Sequence, residues 1–422
     1  MKYKDLCLDK LRKSGKYIAS LLKWCALAAI IGIVCGLSGV VFHYSVEYAT
    51  EIRLRHPLLI VFLPLAGLLI VFLYRICKMQ NDKGTNTVIN SIRSSEKIPI
   101  LMAPLILIGT TLTHLCGGSS GREGAALQIG GSIGSWIASR FNFSEKDIHV
   151  MTMCGMSALF SAVFGTPLTA AVFSMEVISV GIIYYNAFFP CLTSAIIAYL
   201  TAGFANVPAA RFSLSFLPEA SLPVFGKVIV LAALCALISV IFIFSMHKFS
   251  RAYTKYVKSD YLRAVLGAIA VIAVTFALKT YDYNGVGMDI IRRAVEEGTA
   301  RPEAFILKMI LTIITLSSGF KGGEIVPTFF IGSTFGVLIS PLLGLEPSFC
   351  AAIGLIALFC GVVNCPIASV ILSIELFGSE GLLFFALSSS VSYIMSGYYG
   401  LYSSQKIMYS KLESTFINKD AK

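Results

Sequence analysis

The sequence predicts an all-α, polytopic membrane protein built from two related halves, and three observations support that prediction. Hydrophobic residues make up 56% of the 422 residues and charged residues only 14%, whereas a soluble domain carries about 25% charged residues. Apolar runs long enough for a helix to cross a ~30 Å hydrocarbon core recur along the chain, among them Trp24 to Phe42, Pro57 to Tyr74 and Val228 to Met246. Two tracts of the first half also recur in the second half, in the same order.

The first element is a basic head, residues 1–16, which precedes the first apolar run. It sets Asp5 and Asp9 against a larger group of basic residues, namely Lys2, Lys4, Lys10, Arg12, Lys13 and Lys16. Basic residues beside a span stay in the cytoplasm, and no small-residue cleavage site marks the run as a secretory signal. The C-terminal tail, residues 406–422, is also lysine-rich, so we expect both termini to be cytoplasmic. The net charge of +11 is then a topology signal and does not indicate nucleic-acid binding.

The transmembrane domain is expected over residues 17–405, with one half at about 17–205 and the other at about 222–405. The tract Ser157 to Ile178 matches Ile356 to Phe377, and the tract that starts at Gly117 is echoed by the one that starts at Ser317. Internal repeats with glycine- and proline-broken apolar segments are typical of transporters. An odd number of crossings in each half would place both termini on one side, so we expect inverted halves.

Several apolar runs are too short to cross a membrane alone. Ala125 to Ala138 and Pro167 to Val180 each have about fourteen residues, against the ~20 that a spanning helix needs. The ends of such helices must lie against a buried partner or a water-filled cavity. We therefore expect broken, tilted helices whose ends point at a site in mid-membrane.

The tract GGSSGREGAALQIGGSIG contains Glu123 at the start of an apolar helix, after several glycines. A helix N-terminus is an anion site because its N–H groups are unpaired, and glycines allow close backbone approach. Glu123 could occupy that site and leave when protonated, which would link anion passage to proton passage. The structural alternative is that Glu123 only pairs with Arg122 or caps its helix. Recurrence of the design at Gly323 and Glu324, before Pro327 in a first helical turn, favours the functional interpretation.

These motifs resemble the CLC family of chloride channels and anion/proton antiporters. The shared features are GREG before an apolar helix, a GGxxxP loop about 200 residues later and the tyrosine of GLYS. The resemblance runs from the first span to about Tyr402. It implies a CLC-type inverted repeat of short tilted helices and a homodimer with one pore in each subunit. No CBS domains are expected.

The resemblance also implies roles for individual residues. Glu123 matches the external gating glutamate, although Ala125 stands where the family has proline. The remaining candidates would contact the anion and come from three loops and the C-terminal tyrosine: Gly84, Thr85, Asn86, Gly121, Arg122, Gly323, Glu324, Ile325, Val326 and Tyr402.

Departures from the chloride pattern favour the fluoride-type branch of the family. Val177 stands where proton-coupled chloride members have an inner glutamate, and Glu324 lies in the second loop. In the fluoride/proton antiporters that loop glutamate is thought to assist proton transfer. Thr85 and Val326 are unlike that branch, which usually has asparagine or methionine at the first position and often a hydroxyl residue at the second. Fluoride/proton antiport is the first hypothesis, and a chloride channel or chloride/proton antiporter is the alternative.

Other interpretations were weighed against transport. The GxSG pattern of Gly118 to Gly121 is found in intramembrane serine proteases, but none of the five histidines lies in a later span beside a small-residue contact face, as that chemistry requires. We therefore expect no enzyme activity, cofactor or metal; the expected partners are fluoride or chloride, protons, lipid and a second copy. Glu176 and Glu375 are interpreted as structural acids and Lys279 to Glu303 as an exposed loop. The Phe329–Phe330 and Phe384–Phe385 pairs are interpreted as packing, with a pore-lining role for one phenylalanine as the alternative.

Overall fold

The computed structural model describes the backbone of residues 2–80, 82–94, 96–141 and 143–421, and side chains from Ser14 onward. Most side chains of the basic head, and Lys422 of the tail, lie outside the described part. The first half contains eight α-helices and a short strand: α1 Lys2–Arg55, α2 Leu63–Ile76, α3 Thr85–Arg93, α4 Met102–Leu115, α5 Glu123–Arg140, α6 Glu145–Phe164, α7 Pro167–Glu176, β1 Ser179–Val180 and α8 Phe188–Phe204.

The second half contains eight α-helices and a pair of strands: α9 Leu222–Tyr256, α10 Asp260–Leu278, α11 Met288–Glu296, α12 Ala304–Ser317, α13 Ile325–Leu343, α14 Pro347–Val363, α15 Pro366–Phe377, α16 Leu382–Met395, β2 Lys406–Tyr409 and β3 Phe416–Asp420. Short 3-10 helices precede α2 and α8. Within the described residues, seven helical segments are long and apolar enough to span a membrane, and five further apolar helices are shorter. The predicted all-α, polytopic fold of spanning and broken helices is confirmed.

The same glycine-packed helix pair is built once in each half. Between α5 and α6, a Cβ added at Gly130 would lie 2.1 Å from the Gly155 carbonyl oxygen. Between α13 and α14, a Cβ at Gly332 would lie 2.3 Å from the Gly354 carbonyl oxygen. Only glycine permits backbones to approach so closely, as at other membrane helix interfaces. These matching contacts show that the sequence repeat is a repeat of structure.

A second pair of matching contacts joins the two halves to each other. Glu176, at the end of α7, accepts hydrogen bonds from the first amides of α15, those of Ile367 (3.1 Å) and Ala368 (2.8 Å). Glu375, near the end of α15, accepts from the first amides of α7, those of Leu168 (3.0 Å) and Thr169 (2.8 Å). Each carboxylate therefore caps the N-terminus of the other half's helix. The structural interpretation of both glutamates is confirmed.

Phenylalanines fill the core where the halves meet. Phe329 of α13 contacts Phe164 of α6 and Phe359 of α14, with ring centroids 5.7 and 5.3 Å apart. Phe384 and Phe385 are buried as well and contact other phenylalanine rings. The predicted packing role of these rings is confirmed.

The segment from Lys279 to Glu303 differs from the exposed loop that was predicted. It contains α11, and Tyr283, Asn284 and Gly285 are buried. The Asn284 amide donates to the Gly117 carbonyl (2.7 Å), and the Gly285 N–H donates to the Gly118 carbonyl (3.0 Å). The polar composition misled the prediction because these polar groups bond to the first glycine loop instead of to water.

The C-terminal tail pairs with the first half through a small sheet. Strand β2 is parallel to β1 and antiparallel to β3. The Gln405 amide donates to the carbonyls of Val177 and Val363, at the ends of α7 and α14. The turn that follows Tyr402 is thereby fixed to both halves.

Candidate functional site

The two glycine loops meet directly. Gly121 of the first loop and Gly323 of the second form an antiparallel bridge, in which each N–H donates to the other's carbonyl at 2.7 Å. A Cβ at Gly323 would lie 2.5 Å from the Gly124 nitrogen. Helix α5 begins at Glu123 and helix α13 at Ile325, so the bridge holds the N-termini of two repeat-related helices together. Their unpaired N–H groups and positive dipole ends provide an environment for an anion.

Glu123 lies in the first turn of α5 with only 1% of its surface exposed. Its Oε2 atom accepts a hydrogen bond from the Arg122 N–H (3.0 Å), and its Oε1 atom is 3.6 Å from Arg122 Nε. The contacts expected if Glu123 only pairs with Arg122 or caps its helix are therefore present. They hold the carboxylate beside the bridge of the two loops, which is also where a gating group would have to lie.

Arg122 is itself fixed by residues of α1 that the sequence did not single out. Its Nη1 atom is 3.0 Å from His43 Nδ1. The other ring nitrogen of His43 is 3.1 Å from a Glu47 carboxylate oxygen. Spacing along the chain could not reveal this contact, because α1 and the GREG loop are about 80 residues apart. His43 is 2% exposed, and its position within an apolar run was the only available signal.

The third predicted loop lies against the first. Gly84 has a φ of 63° and precedes α3, which begins at Thr85. The Thr85 hydroxyl accepts from Gln128 Nε2 (3.2 Å) and is 3.5 Å from the Gly124 carbonyl. Gln128 was missed in the sequence, although it is a lone amide one turn into an apolar helix. Its Oε1 atom is buried without a hydrogen-bond partner, so Gln128 belongs with the candidate site residues.

Asn86 has a structural contact through its side-chain oxygen, and its predicted role as an amide donor to the anion stays a prediction. Its side-chain oxygen accepts from the Ser404 N–H at 2.9 Å. Arg93, at the end of α3, donates to the Ser404 carbonyl at 2.8 Å. These bonds tie α3 to the turn after Tyr402, so Asn86 positions the tyrosine loop.

The second loop presents the remaining candidates. Ile325 and Val326 are fully buried at the start of α13, and Pro327 in its first turn has no N–H to leave unpaired. Glu324 Oε2 is inaccessible and has no hydrogen-bond partner, and a Cβ at Gly124 would lie 3.0 Å from it. The Tyr402 hydroxyl is also buried without a partner. Buried polar atoms are normally hydrogen-bonded, so these two are available to a transported ion or proton.

The serines of the GxSG pattern are not arranged for nucleophilic catalysis. The hydroxyl of Ser120, the serine that the pattern would make the nucleophile, is buried without a hydrogen-bond partner, and the Ser119 hydroxyl bonds to the Thr312 hydroxyl at 3.2 Å. His114, the nearest histidine in the sequence, has its Nε2 atom 3.4 Å from the Gly121 carbonyl. A serine nucleophile needs a histidine within hydrogen-bond reach as its base. The protease alternative is therefore not supported.

Comparisons with known proteins agree with this arrangement. A profile of the family described as voltage gated chloride channel matches residues 66–397. The chain is 34% identical over 402 residues to a chloride/fluoride channel protein of Pseudomonas syringae pv. tomato, a match covering 94% of this chain and 88% of the relative. It is 23% identical over 380 residues to the H(+)/Cl(-) exchange transporter ClcA of Vibrio cholerae serotype O1, covering 83% and 81%.

Two solved structures share the fold. A crystal structure of a CLC-type fluoride/proton antiporter matches with a TM-score of 0.88 and 31% identity, over 91% of this chain and 98% of that one. A slow cyanobacterial Cl-/H+ antiporter matches with a TM-score of 0.76 and 19% identity, over 88% and 94%. The second likeness concerns the fold alone. The inverted repeat, the bridged glycine loops and these matches show that the chain belongs to the CLC family of voltage gated chloride channels, an anion-transporting family, as its loop motifs predicted.

Proposed function

We propose that this protein exports fluoride across a cell membrane in exchange for protons. The observation that carries the proposal is Glu324, whose Oε2 atom is buried without a partner beside the first glycine loop. An unpaired carboxyl oxygen in a dry site is suited to accept and pass on a proton. The relatives with 34% and 31% identity are a chloride/fluoride channel protein and a fluoride/proton antiporter, which supports the same choice.

The proton route runs through Glu123 and Glu324. Val177, at the position of the inner glutamate of chloride antiporters, is buried and carries no titratable group. Glu123 exchanges between the carboxylate, which occupies the anion position at the α5 N-terminus, and the neutral acid, which leaves it. Glu324 passes the proton between Glu123 and the cytoplasmic side.

The anion is held by donors of the three loops and the tyrosine. Gly84, Gly121 and Gly323 allow backbone approach, while the hydroxyls of Thr85 and Tyr402 offer side-chain donors. Fluoride is strongly hydrated, so several donors must replace its water. The Tyr402 hydroxyl is free of protein partners, which suits this role.

Chloride transport is the second candidate function. Thr85 and Val326 depart from the fluoride-type pattern, and a further relative is a chloride/proton exchanger.

The protein works as a homodimer in which each subunit has its own pathway. The exposed apolar side chains Leu168 on α7 and Ile367 on α15 lie on a face that a second copy would cover. Both termini are cytoplasmic in this proposal.

The test is anion efflux from liposomes that contain the purified protein. Fluoride and chloride are loaded separately, ion-selective electrodes follow each anion, and a pH probe follows protons. Fluoride efflux that exceeds chloride efflux, with proton movement in the opposite direction, is the expected result. Chloride efflux equal to or faster than fluoride would overturn the fluoride choice, and flux without proton movement would make the protein a channel.

A further inference from the structure

Arg53, in the last turn of α1, is a buried guanidinium that no other side chain neutralises. Only 5% of its surface is exposed, and its Nε atom has no hydrogen-bond partner. Among the described residues, none forms a hydrogen bond or ion pair with the Arg53 side chain. A buried unpaired charge costs several kcal/mol, and arginine cannot relieve that cost by losing its proton. Binding of an anion from solution would therefore stabilise the buried Arg53 guanidinium.

The surroundings of Arg53 add positive charge. Lys308 of α12 is fully buried, and its ammonium donates only to backbone carbonyls, those of Tyr283 (3.3 Å) and Gly285 (2.7 Å). His114, also fully buried, has an Nδ1 atom without a partner. Electrostatic repulsion from Arg53 acts on both groups. Beside the Arg53 guanidinium the cluster thus places a second basic side chain, Lys308, and no described carboxylate pairs with either.

The backbone leaves room for the guanidinium. The Arg53 side chain passes Gly117 and Gly285, both with positive φ. A Cβ at Gly285 would lie 2.8 Å from Arg53 Nη2, and one at Gly117 would lie 3.5 Å from Arg53 Cδ. The segment from Lys279 to Glu303 and the first glycine loop, which starts at Gly117, therefore both leave space for the Arg53 side chain.

Arg53 lines an open chamber of about 480 Å³ that Arg122 and His43 also line. The acidic residues of the chamber lie at its more exposed positions: Glu47, Glu51, Asp282 and Asp289. The side chains of Glu47 and Glu51 are 45% and 52% exposed, so water and salt screen their charges. Arg53, the buried cation of the lining, is screened much less. An anion in the chamber therefore meets Arg53 and Arg122, and Arg122 directly precedes Glu123 in the chain.

We infer that Arg53 forms a further anion site at the outer mouth of the pathway, where a monovalent inorganic anion, fluoride or chloride, binds on the far side of Glu123 from the two-loop bridge. The site rests on the proposed function in that its ligand is the transported anion. The Arg53 fork supplies the hydrogen bonds. Binding there raises the local anion concentration beside the gate.

The test compares Arg53→Gln and Arg53→Lys with Arg292→Gln, a control that removes an exposed arginine of the same chamber. Initial transport rates are measured in liposomes against the concentration of fluoride and, separately, of chloride. Loss of one charge-assisted hydrogen-bonding group should raise KM about tenfold in Arg53→Gln, with the maximal rate and the anion-to-proton ratio little changed. Arg53→Lys should recover part of the affinity. An unchanged KM in Arg53→Gln, or an equal rise in Arg292→Gln, would overturn the site.

A second measurement does not depend on transport. The midpoint of thermal unfolding in detergent is followed as sodium fluoride or sodium chloride replaces sodium gluconate at constant ionic strength. A ligand that binds the folded state raises the midpoint, and Arg53→Gln should show a smaller rise than the wild type and Arg292→Gln. Equal rises in all three would overturn the site. If transport is absent while this difference persists, the anion site stands and the proposed function fails.

Arg53→Lys also covers the case in which Arg53→Gln does not fold. Lysine keeps the charge but loses the planar fork, so a KM above that of the wild type and a reduced anion-dependent stabilisation are expected. Wild-type values for Arg53→Lys in both measurements would then overturn the proposal.

Discussion

At the scale of the residue, the proposed mechanism makes Glu123 the group that couples the anion and proton pathways. It is 1% exposed and is held beside the bridge of the two glycine loops. In Glu123→Gln the side chain keeps its size but cannot exchange a proton. We expect fluoride efflux and the opposing proton uptake both to fall by at least about a hundredfold, the scale of a positioned acid–base group. Electrode and pH-probe recordings from the same liposomes measure both.

The matched control for this substitution is Glu380→Gln, which alters an exposed glutamate at the turn before α16. It should leave both fluxes unchanged. Glu123→Gln protein that still exchanged fluoride for protons would contradict the gating role and favour the structural alternative, in which Glu123 only caps α5 and pairs with Arg122.

A substitution at Glu324 tests the proposed proton route separately from anion binding. Glu324→Gln should slow proton-coupled flux by at least about tenfold, because the amide cannot pass on a proton at the second loop. Anion-dependent stabilisation against heat should persist, since the backbone donors of Ile325 and Val326 remain. Glu380→Gln, at an exposed turn, is the control. Normal coupled flux in Glu324→Gln would show that the proton takes another path.

Most of the candidate site residues could be predicted from the sequence, but the residues that hold them in place could not. Glu123, Glu324 and Tyr402 stand in recognisable motifs, so they could be proposed from their positions alone. Gln128 and His43 are single polar residues in apolar runs, and Arg53 lies in a charged helix end, so only tertiary contacts reveal what these three residues touch. Asn86 was proposed as an amide donor, and the structure adds that its side-chain oxygen accepts from the Ser404 backbone.

At the scale of the element, the α5–α6 and α13–α14 pairs depend on glycine contacts. A Cβ at Gly130 would lie 2.1 Å from the Gly155 carbonyl oxygen, so Gly130→Ala must push the two helices apart. We expect a loss of stability of about 1–3 kcal/mol or more, as for other overpacked contacts. Thermal unfolding in detergent measures the change.

Gly226→Ala in α9 is the control for that substitution, since no atom lies within 4 Å of a Cβ there. Alanine favours helix by about 1 kcal/mol over glycine, so this variant should be as stable as the wild type or more stable. If Gly130→Ala unfolded at the same temperature as Gly226→Ala, close backbone packing would not be what stabilises the repeat.

The glutamates that cap the N-termini of α7 and α15 allow a test of what holds the two halves together. Glu375→Gln replaces a carboxylate that accepts two backbone hydrogen bonds with an amide that carries no charge for the helix N-terminus. Charge-assisted bonds of this kind are worth about 1.5–3 kcal/mol, so a loss of about that size in unfolding free energy is expected. Glu380→Gln should cause no loss. A stable Glu375→Gln variant would mean that packing alone holds the halves together.

The elements themselves could be predicted because apolar runs, glycine loops and prolines mark them. The reciprocal capping could be predicted only as a structural role, since the sequence does not say which helix end each carboxylate meets. The prediction that Lys279 to Glu303 forms an exposed loop was wrong for a related reason. Its polar residues satisfy the backbone of the first glycine loop, so polarity there does not mean exposure to water.

At the scale of the whole molecule, two halves with the same sequence pattern make the same local contacts, and their glycine loops meet at the Gly121–Gly323 bridge. The duplication was visible in the sequence because the matched residues are those that limit helix packing and helix ends. The distance between the loops was not visible, because it depends on how α4, α5, α12 and α13 pack. Family membership therefore followed from motifs, while the site geometry required the structure.

The most direct test of fluoride/proton antiport is whether a fluoride gradient alone moves protons. Liposomes containing the protein are loaded with fluoride at equal internal and external pH, with potassium and valinomycin holding the voltage at zero. Outward fluoride flow should draw protons inward and acidify the lumen, and Glu123→Gln should abolish that acidification. Fluoride efflux that leaves the internal pH at the value of protein-free liposomes would contradict coupled exchange.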